Sequence, residues 1–189
     1  MSALIVNLFG APGAGKSTGA AVLFASLKNA GINAALVTEY AKDKTWEKNE
    51  TALAAQDYIF AKQHYRIRCV VDQVDVVVTD CPLMLSSFYM RGDRKLGRPF
   101  RDLVRHVFSC YDNMNFFICR SKAYISAGRS QTEEQSNQIA IRLMDFLQRN
   151  HVSYSIMPGN TEGYMQIGRM IFKELAARGI VQNEEESAL

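Results

Sequence analysis

No stretch of this sequence approaches the roughly 18 consecutive apolar residues that a membrane span requires, although 48% of its 189 residues are hydrophobic. The opening run, Met1-Ser2-Ala3-Leu4-Ile5-Val6, lacks a basic n-region. It reads as a first strand rather than a secretory signal, and a cytoplasmic protein is expected. Cysteine is sparse and scattered. Cys69, Cys81, Cys110 and Cys119 form no CxxC pair, and His64, His106 and His151 do not cluster with them. This pattern argues against a zinc site and for reduced, mostly buried thiols. An excess of one charge is also missing: 22 basic and 19 acidic residues leave a net +3, which says little about partners. The length suffices to bury a full core without disulfide or metal staples.

What is present is an alternation of strand-like and helix-like segments. Ala3 to Phe9 is an apolar run broken only by Asn7 and ending at Gly10, as a buried parallel strand would be. A helix is predicted from Lys16 to Asn29, stopped by Gly31. Further strands are predicted at 33–38, 74–79, 115–119 and 152–156. Between them lie a polar stretch at 42–50 containing Trp46, a long helix at 51–73, and a helix or loop from Pro82 to Tyr89. Helices at 100–111, 133–150 and 161–178 follow. The long helix is expected to bury Leu53, Ile59, Ala61, Ile67 and Val70. The helix at 100–111 is expected to bury Leu103, Val104, Val107 and Phe108. Such alternation implies an α/β fold, a three-layer sandwich of about five parallel strands with helices on both faces. One domain is expected over residues 1–180, with a frayed acidic tail at 181–189.

Between the first strand and first helix stands Gly10-Ala11-Pro12-Gly13-Ala14-Gly15-Lys16-Ser17, a P-loop. Glycines let the backbone curl so that its N–H groups face phosphate, and the following helix adds its N-terminal partial charge. Residues Gly10 to Thr18 are therefore expected to hold ATP, with Lys16 on the β- and γ-phosphates and Ser17 on Mg2+. In parallel sheets ligands lie beyond the carboxyl ends of the strands. That rule gathers Glu39, Asp80, Arg120 and the turn Pro158-Gly159-Asn160 around the P-loop. Asp80 closes the run Val74 to Thr79 and suits a second magnesium ligand. Glu39 suits a general base, or a group behind the metal. Arg120 and Arg129 flank a polar segment in which Gly128 would allow bending, and either could neutralise charge on a migrating phosphoryl group. Arg91 to Arg101 holds five basic residues and one acid, and Arg105 follows. This stretch is expected to be an exposed loop up to Pro99, able to track a phosphate backbone, with Phe88, Tyr89 and Phe100 available for stacking. Gln56 and Gln63 are candidate base-reading groups.

GAPGAGKST, VTEYAKD with Glu39, DVVVTDCPL with Asp80 and AGRSQTEEQ with Arg129 together resemble the phage-type P-loop kinases. Within these the chain is similar to thymidylate kinases and to the kinase domain that phosphorylates nicotinamide riboside, over residues 3–178. It looks most like the phage 5-hydroxymethyluracil DNA kinases. The resemblance implies transfer from ATP, with Mg2+, to the hydroxymethyl group of 5-hydroxymethyluracil in DNA, a step in thymidine hypermodification of a phage genome. The host cytoplasm would then be the setting. A small nucleoside or nucleotide acceptor is the alternative, followed by a regulatory ATPase, and the reading leaves room for a homodimer. Thymidylate kinases carry Asp-Arg after the third strand, whereas Asp80 here precedes Cys81 and Pro82, which disfavours free dTMP.

Overall fold

The computed structural model describes residues 2–90, 96–124 and 132–181. Its sheet has five parallel strands, β1 (Leu4–Phe9), β2 (Ala34–Val37), β3 (Val76–Thr79), β4 (Asp112–Cys119) and β5 (Ser155–Pro158), in the order β2-β3-β1-β4-β5. Alternate residues of each strand face opposite helical layers, as the pleat requires. Ile5, Phe9, Val77 and Phe117 point to one side, where they meet α4 (Gln56–Arg68), α5 (Met84–Tyr89), α6 (Gly97–Ser109) and α7 (Glu133–Arg149). Leu4, Val6, Leu8, Val78 and Ile118 point to the other side, against α1 (Lys16–Asn29) and α8 (Thr161–Ala177). The three-layer sandwich is thus the observed architecture. Side chains such as Leu143 and Ile167, fully buried in the two layers, each contribute roughly 1.5–3 kcal/mol.

One polar residue interrupts the central strand. Asn7 is buried, and its amide donates to Asn113 Oδ1 at 2.8 Å and Asn115 Oδ1 at 3.0 Å. Those bonds satisfy the buried amide and tie β1 to β4 in a single register, in which Asn7 faces Asn115.

Several expectations need correction. The polar stretch after β2 is largely the helix α2 (Tyr40–Trp46). The long helix is two, α3 (Glu50–Ala54) and α4, parted at Ala55, whose φ −83 and ψ 80 leave the helical region without any Gly or Pro to announce it. In α4 the buried face is Ile59, Phe60, Gln63 and Ile67, while Ala61 is exposed. The helix α6 starts at Gly97, so Gly97-Arg98-Pro99 form its first turn, where proline is tolerated. Its inward stripe is Phe100, Val104 and Phe108, spaced by four, and Leu103 is half exposed. Strand β5 begins three residues late. Val152 N–H still closes the end of α7 on Leu147 O at 3.0 Å, and His151 takes a positive φ of 55°. Among the thiols, Cys81 is buried and Cys119 half-buried, but Cys69 and Cys110 are exposed.

Candidate active site

The carboxyl ends of the strands collect the candidate residues at one edge of the sheet. The chain leaves β1 at Gly10 and curls through Gly13 and Gly15, at φ 82° and 99°, a region open to glycine. Gly15 is the N-cap of α1 and offers no side-chain cap, so the first amides of that helix keep their donors for a ligand. Lys16 Nζ donates to the Ala11 carbonyl at 3.2 Å, folded back across the loop. Ser17 and Thr18 lie exposed on the first turn of α1.

Three other elements brace this loop. Ser136 Oγ, on the first turn of α7, donates to the Pro12 carbonyl at 2.6 Å. Tyr164, on α8, donates its hydroxyl to the Gly15 carbonyl at 2.9 Å. Gly159, after β5, donates its N–H to the Cys119 carbonyl at 2.7 Å, and any side chain on it would strike the Ala14 carbonyl. Sequence reasoning missed Ser136 and Tyr164. A signal for Tyr164 existed: Gly19 sits inside a helix, where glycine costs about 1 kcal/mol and calls for a packing reason. That reason is the Tyr164 ring, whose Cε1 would stand 2.6 Å from a Cβ at residue 19.

Beside the loop, Asp80 and Glu39 meet. Adjacent strands β2 and β3 pair Val37 with Thr79, so the residues just beyond them share one corner. The Glu39 N–H donates to Asp80 Oδ1 at 3.0 Å, and Asp80 is 3% exposed. No other hydrogen bond reaches the Asp80 carboxylate from the described residues. Burial pushes the Glu39 carboxyl above its ordinary 4.5, Lys16 draws it back, and the Asp80 charge pushes it up again. The next residue, Cys81, has its thiol held well above the usual range by burial, so it stays protonated at neutral pH. A hydroxyl, two carboxylates and an ammonium around bare loop amides form a hard-oxygen, phosphate-accepting set, which fits Mg2+ with ATP.

Arg120, just past β4, is partly buried. Its guanidinium donates to Asn137 Oδ1 at 2.7 Å, pairs with Glu133 at 2.9 Å and lies 5.4 Å from the Tyr124 ring centroid. Its second terminal nitrogen is buried without a partner among the described residues. It borders a cavity of about 180 Å³ between the P-loop, β4 and α7, lined also by Ala11, Cys119, Ser136, Asn137 and Met144. Arg129, with Gly128, lies outside the described residues, as do Arg91, Arg94 and Lys95 of the basic stretch. Arg98 and Arg105 stand on α6 and both reach Asp102, at 3.9 and 3.3 Å. The expectation for Gln63 changes. It is buried on α4 and spends both ends of its amide on backbone. Gln56 donates to the Leu53 carbonyl at 2.8 Å.

A phosphate-curling loop on the central strand, an uncapped helix behind it and strand-end carboxylates beside it define a P-loop protein of kinase-like fold. The sequence profile of the AAA domain family matches residues 5–163, and the chain belongs to that family. No curated protein sequence matches it significantly. Among solved structures it is similar to deoxyadenosine kinase from M. mycoides with bound dATP, at TM-score 0.59 and 18% identity, over 91% of this chain and 99% of that one. Thymidylate kinase from Ehrlichia chaffeensis aligns at TM-score 0.54 and 12% identity, over 93% and 100%. Shikimate kinase from Bacteroides thetaiotaomicron aligns at 0.52 and 10%, over 93% and 99%. No helix among the described residues is long and apolar enough to cross a membrane.

Proposed function

We propose that this chain is an ATP- and Mg2+-dependent kinase that phosphorylates the hydroxymethyl group of 5-hydroxymethyluracil in DNA. The observation that supports the kinase reading is the Glu39–Asp80 corner at the strand ends beside Lys16 and the P-loop, where burial raises the Glu39 carboxyl above its ordinary value. The P-loop amides and Lys16 hold the phosphates, and Ser17 and Asp80 hold the metal. Mg2+ supplies charge neutralisation across the phosphate oxygens when bound. Glu39 accepts the hydroxyl proton as the new O–P bond forms and the bond from the γ-phosphorus to the β,γ-bridging oxygen breaks, leaving ADP. Arg120, through its unpartnered nitrogen, and Arg129 share the charge of the migrating group.

The DNA acceptor rests on the motif resemblance and on the basic residues from Arg91 to Arg105. Duplex DNA would have to turn the target base out of its stack, at roughly a few kcal/mol. A small nucleoside or nucleotide is the second reading, supported by the likeness to the deoxyadenosine and thymidylate kinase structures along more than 90% of the chain. Labelled ATP offered with hydroxymethyluracil-containing DNA, thymidine and dTMP separates the two. Label in the DNA, lost when Arg94, Lys95 and Arg98 are reversed in charge or when salt is raised, supports the first. Label only in the small acceptors refutes it. Hydrolysis that no acceptor alters would make the chain an ATPase.

A further inference from the structure

The proposed base, Glu39, sits on a bare corner between β2 and α2, where nothing in its own local structure fixes its direction. It follows the last strand residue by two positions and serves as the N-cap of α2 with no side-chain bond. A flexible corner would let the carboxylate swing, yet the corner is held from outside. Gln63, from α4, reaches it with a side chain that is 1% exposed. Its carbonyl oxygen accepts the Tyr40 N–H at 2.9 Å, and its amide nitrogen donates to the Thr38 carbonyl at 3.3 Å. The two bonds close on the residues immediately before and after Glu39. One helical turn on, Arg66 donates to the same Thr38 carbonyl at 3.1 Å and pairs with Asp43 of α2 at 2.7 Å.

We propose that Gln63 is a positioning residue for Glu39: its amide grips the backbone on both sides of the carboxylate and sets the Glu39 N–H against Asp80. This rests on the reading of Glu39 as the base. The chemistry is specific to an amide. Only a group with both a donor and an acceptor at one end satisfies Tyr40 N–H and Thr38 C=O together. A carboxylate would meet the first and repel the second, and a thioether would meet neither. Gln63 touches no acceptor in this role, so it acts on rate through geometry and leaves nucleotide binding alone.

The test pairs backbone dynamics with kinetics on the full chain. Gln63→Met keeps the length and unbranched stem and removes both bonds, while Gln63→Glu keeps the acceptor and removes the donor. Amide exchange of Glu39 and Tyr40 is followed by NMR, using Val77 and Leu143 as controls for global folding. Transfer from labelled ATP to hydroxymethyluracil DNA and to thymidine is measured for wild type, Q63M, E39Q and the double variant. Q63M is expected to speed exchange at Glu39 and Tyr40 alone and to cut kcat roughly 10- to 100-fold, as a small misplacement of a reacting group does. The KM for ATP should stay within about twofold, and E39Q/Q63M should be no slower than E39Q, because the two act as one unit. Multiplying losses in the double variant, or unchanged exchange at Glu39 and Tyr40 in Q63M, overturns the proposal. Full transfer by E39Q instead removes Glu39 as the base, and if neither acceptor is labelled the kinase reading fails on these acceptors. In both of those cases the exchange data alone decide whether Gln63 holds the corner. If Q63M unfolds, Q63E carries the same comparison.

Discussion

Replacing Gly19 by alanine should destabilise this protein, against the usual rule for helices. Gly19 lies one turn into α1, and alanine in a helix interior ordinarily gains about 1 kcal/mol over glycine. Here the added methyl would stand 2.6, 2.9 and 3.2 Å from Cε1, Cδ1 and Cζ of Tyr164. These are ring atoms of a side chain only 3% exposed, so they cannot swing aside as the tip of a lysine could. Overpacking of this kind costs about 1–3 kcal/mol. Moving the ring also gives up the Tyr164 bond to the Gly15 carbonyl, worth about 1 kcal/mol. The balance is a net loss of roughly 1–3 kcal/mol, or about 2–12 °C in Tm for a chain of this size. Urea and thermal unfolding would measure it. Truncation to Tyr164→Leu supplies the control, since with the ring gone the same G19A change should recover its helical gain of about 1 kcal/mol. Should G19A stabilise the unaltered protein, the close approach of α8 to the P-loop helix is not as described here.

Other outcomes follow from the same geometry. Glu39→Gln should abolish an acid limb in the pH profile of kcat/KM, a limb that lies above the ordinary glutamate value of 4.5 because burial raises the carboxyl. Since the folded state holds that proton more tightly than the unfolded chain, Glu39 also makes stability fall as pH rises from 4.5 through its raised value, and E39Q should lose that slope in pH-dependent unfolding. Ser136→Ala leaves the Pro12 carbonyl without its donor; it should cost about 1 kcal/mol in urea unfolding and raise the KM for ATP more than it lowers kcat. Thr132→Ala removes the hydroxyl that accepts the Gln135 N–H at the head of α7 and leaves the backbone N–H of residue 132 on Gln135 Oε1, with an expected loss of about 1 kcal/mol, read as a lower Tm with the KM for ATP less affected than in S136A.

The layers of the fold were legible because their signals are local. The apolar run before Gly10 is wholly buried, the bounds of α1 match, and Gly31 ends that helix at φ 75° as its position promised. Boundaries failed where a distant contact decided them. Ala55 parts two helices without a breaking residue, and β5 waits until Ser155 can pair with Phe116 across the sheet. Leu103 satisfies the apolar pattern of α6, yet the side chains that reach the core are those spaced by four from Phe100.

The candidate site divides along the same line. The loop from Gly10 to Ser17 could be picked out directly as the phosphate-binding candidate, because phosphate binding by backbone demands a fixed run of residues. Glu39 and Asp80 could be placed by topology, because parallel strands deliver their ends to one edge. The groups that hold them could not. Gln63 stands 23 and 25 positions from the Tyr40 and Thr38 backbone groups it grips, and Ser136 and Tyr164 stand 124 and 149 positions from theirs at Pro12 and Gly15. Gln63 shows the difficulty most clearly. On an isolated helix a glutamine invites a base-reading role, since nothing in its neighbours says whether its amide is free. Only burial with both ends bonded to backbone removes that freedom, and burial is a property of α4 packing against the corner between β2 and α2, not of the sequence around Gln63. Supporting residues of the proposed catalytic corner are therefore recognised by the backbone they satisfy, whereas the proposed reacting residues are recognised by the strand ends that carry them.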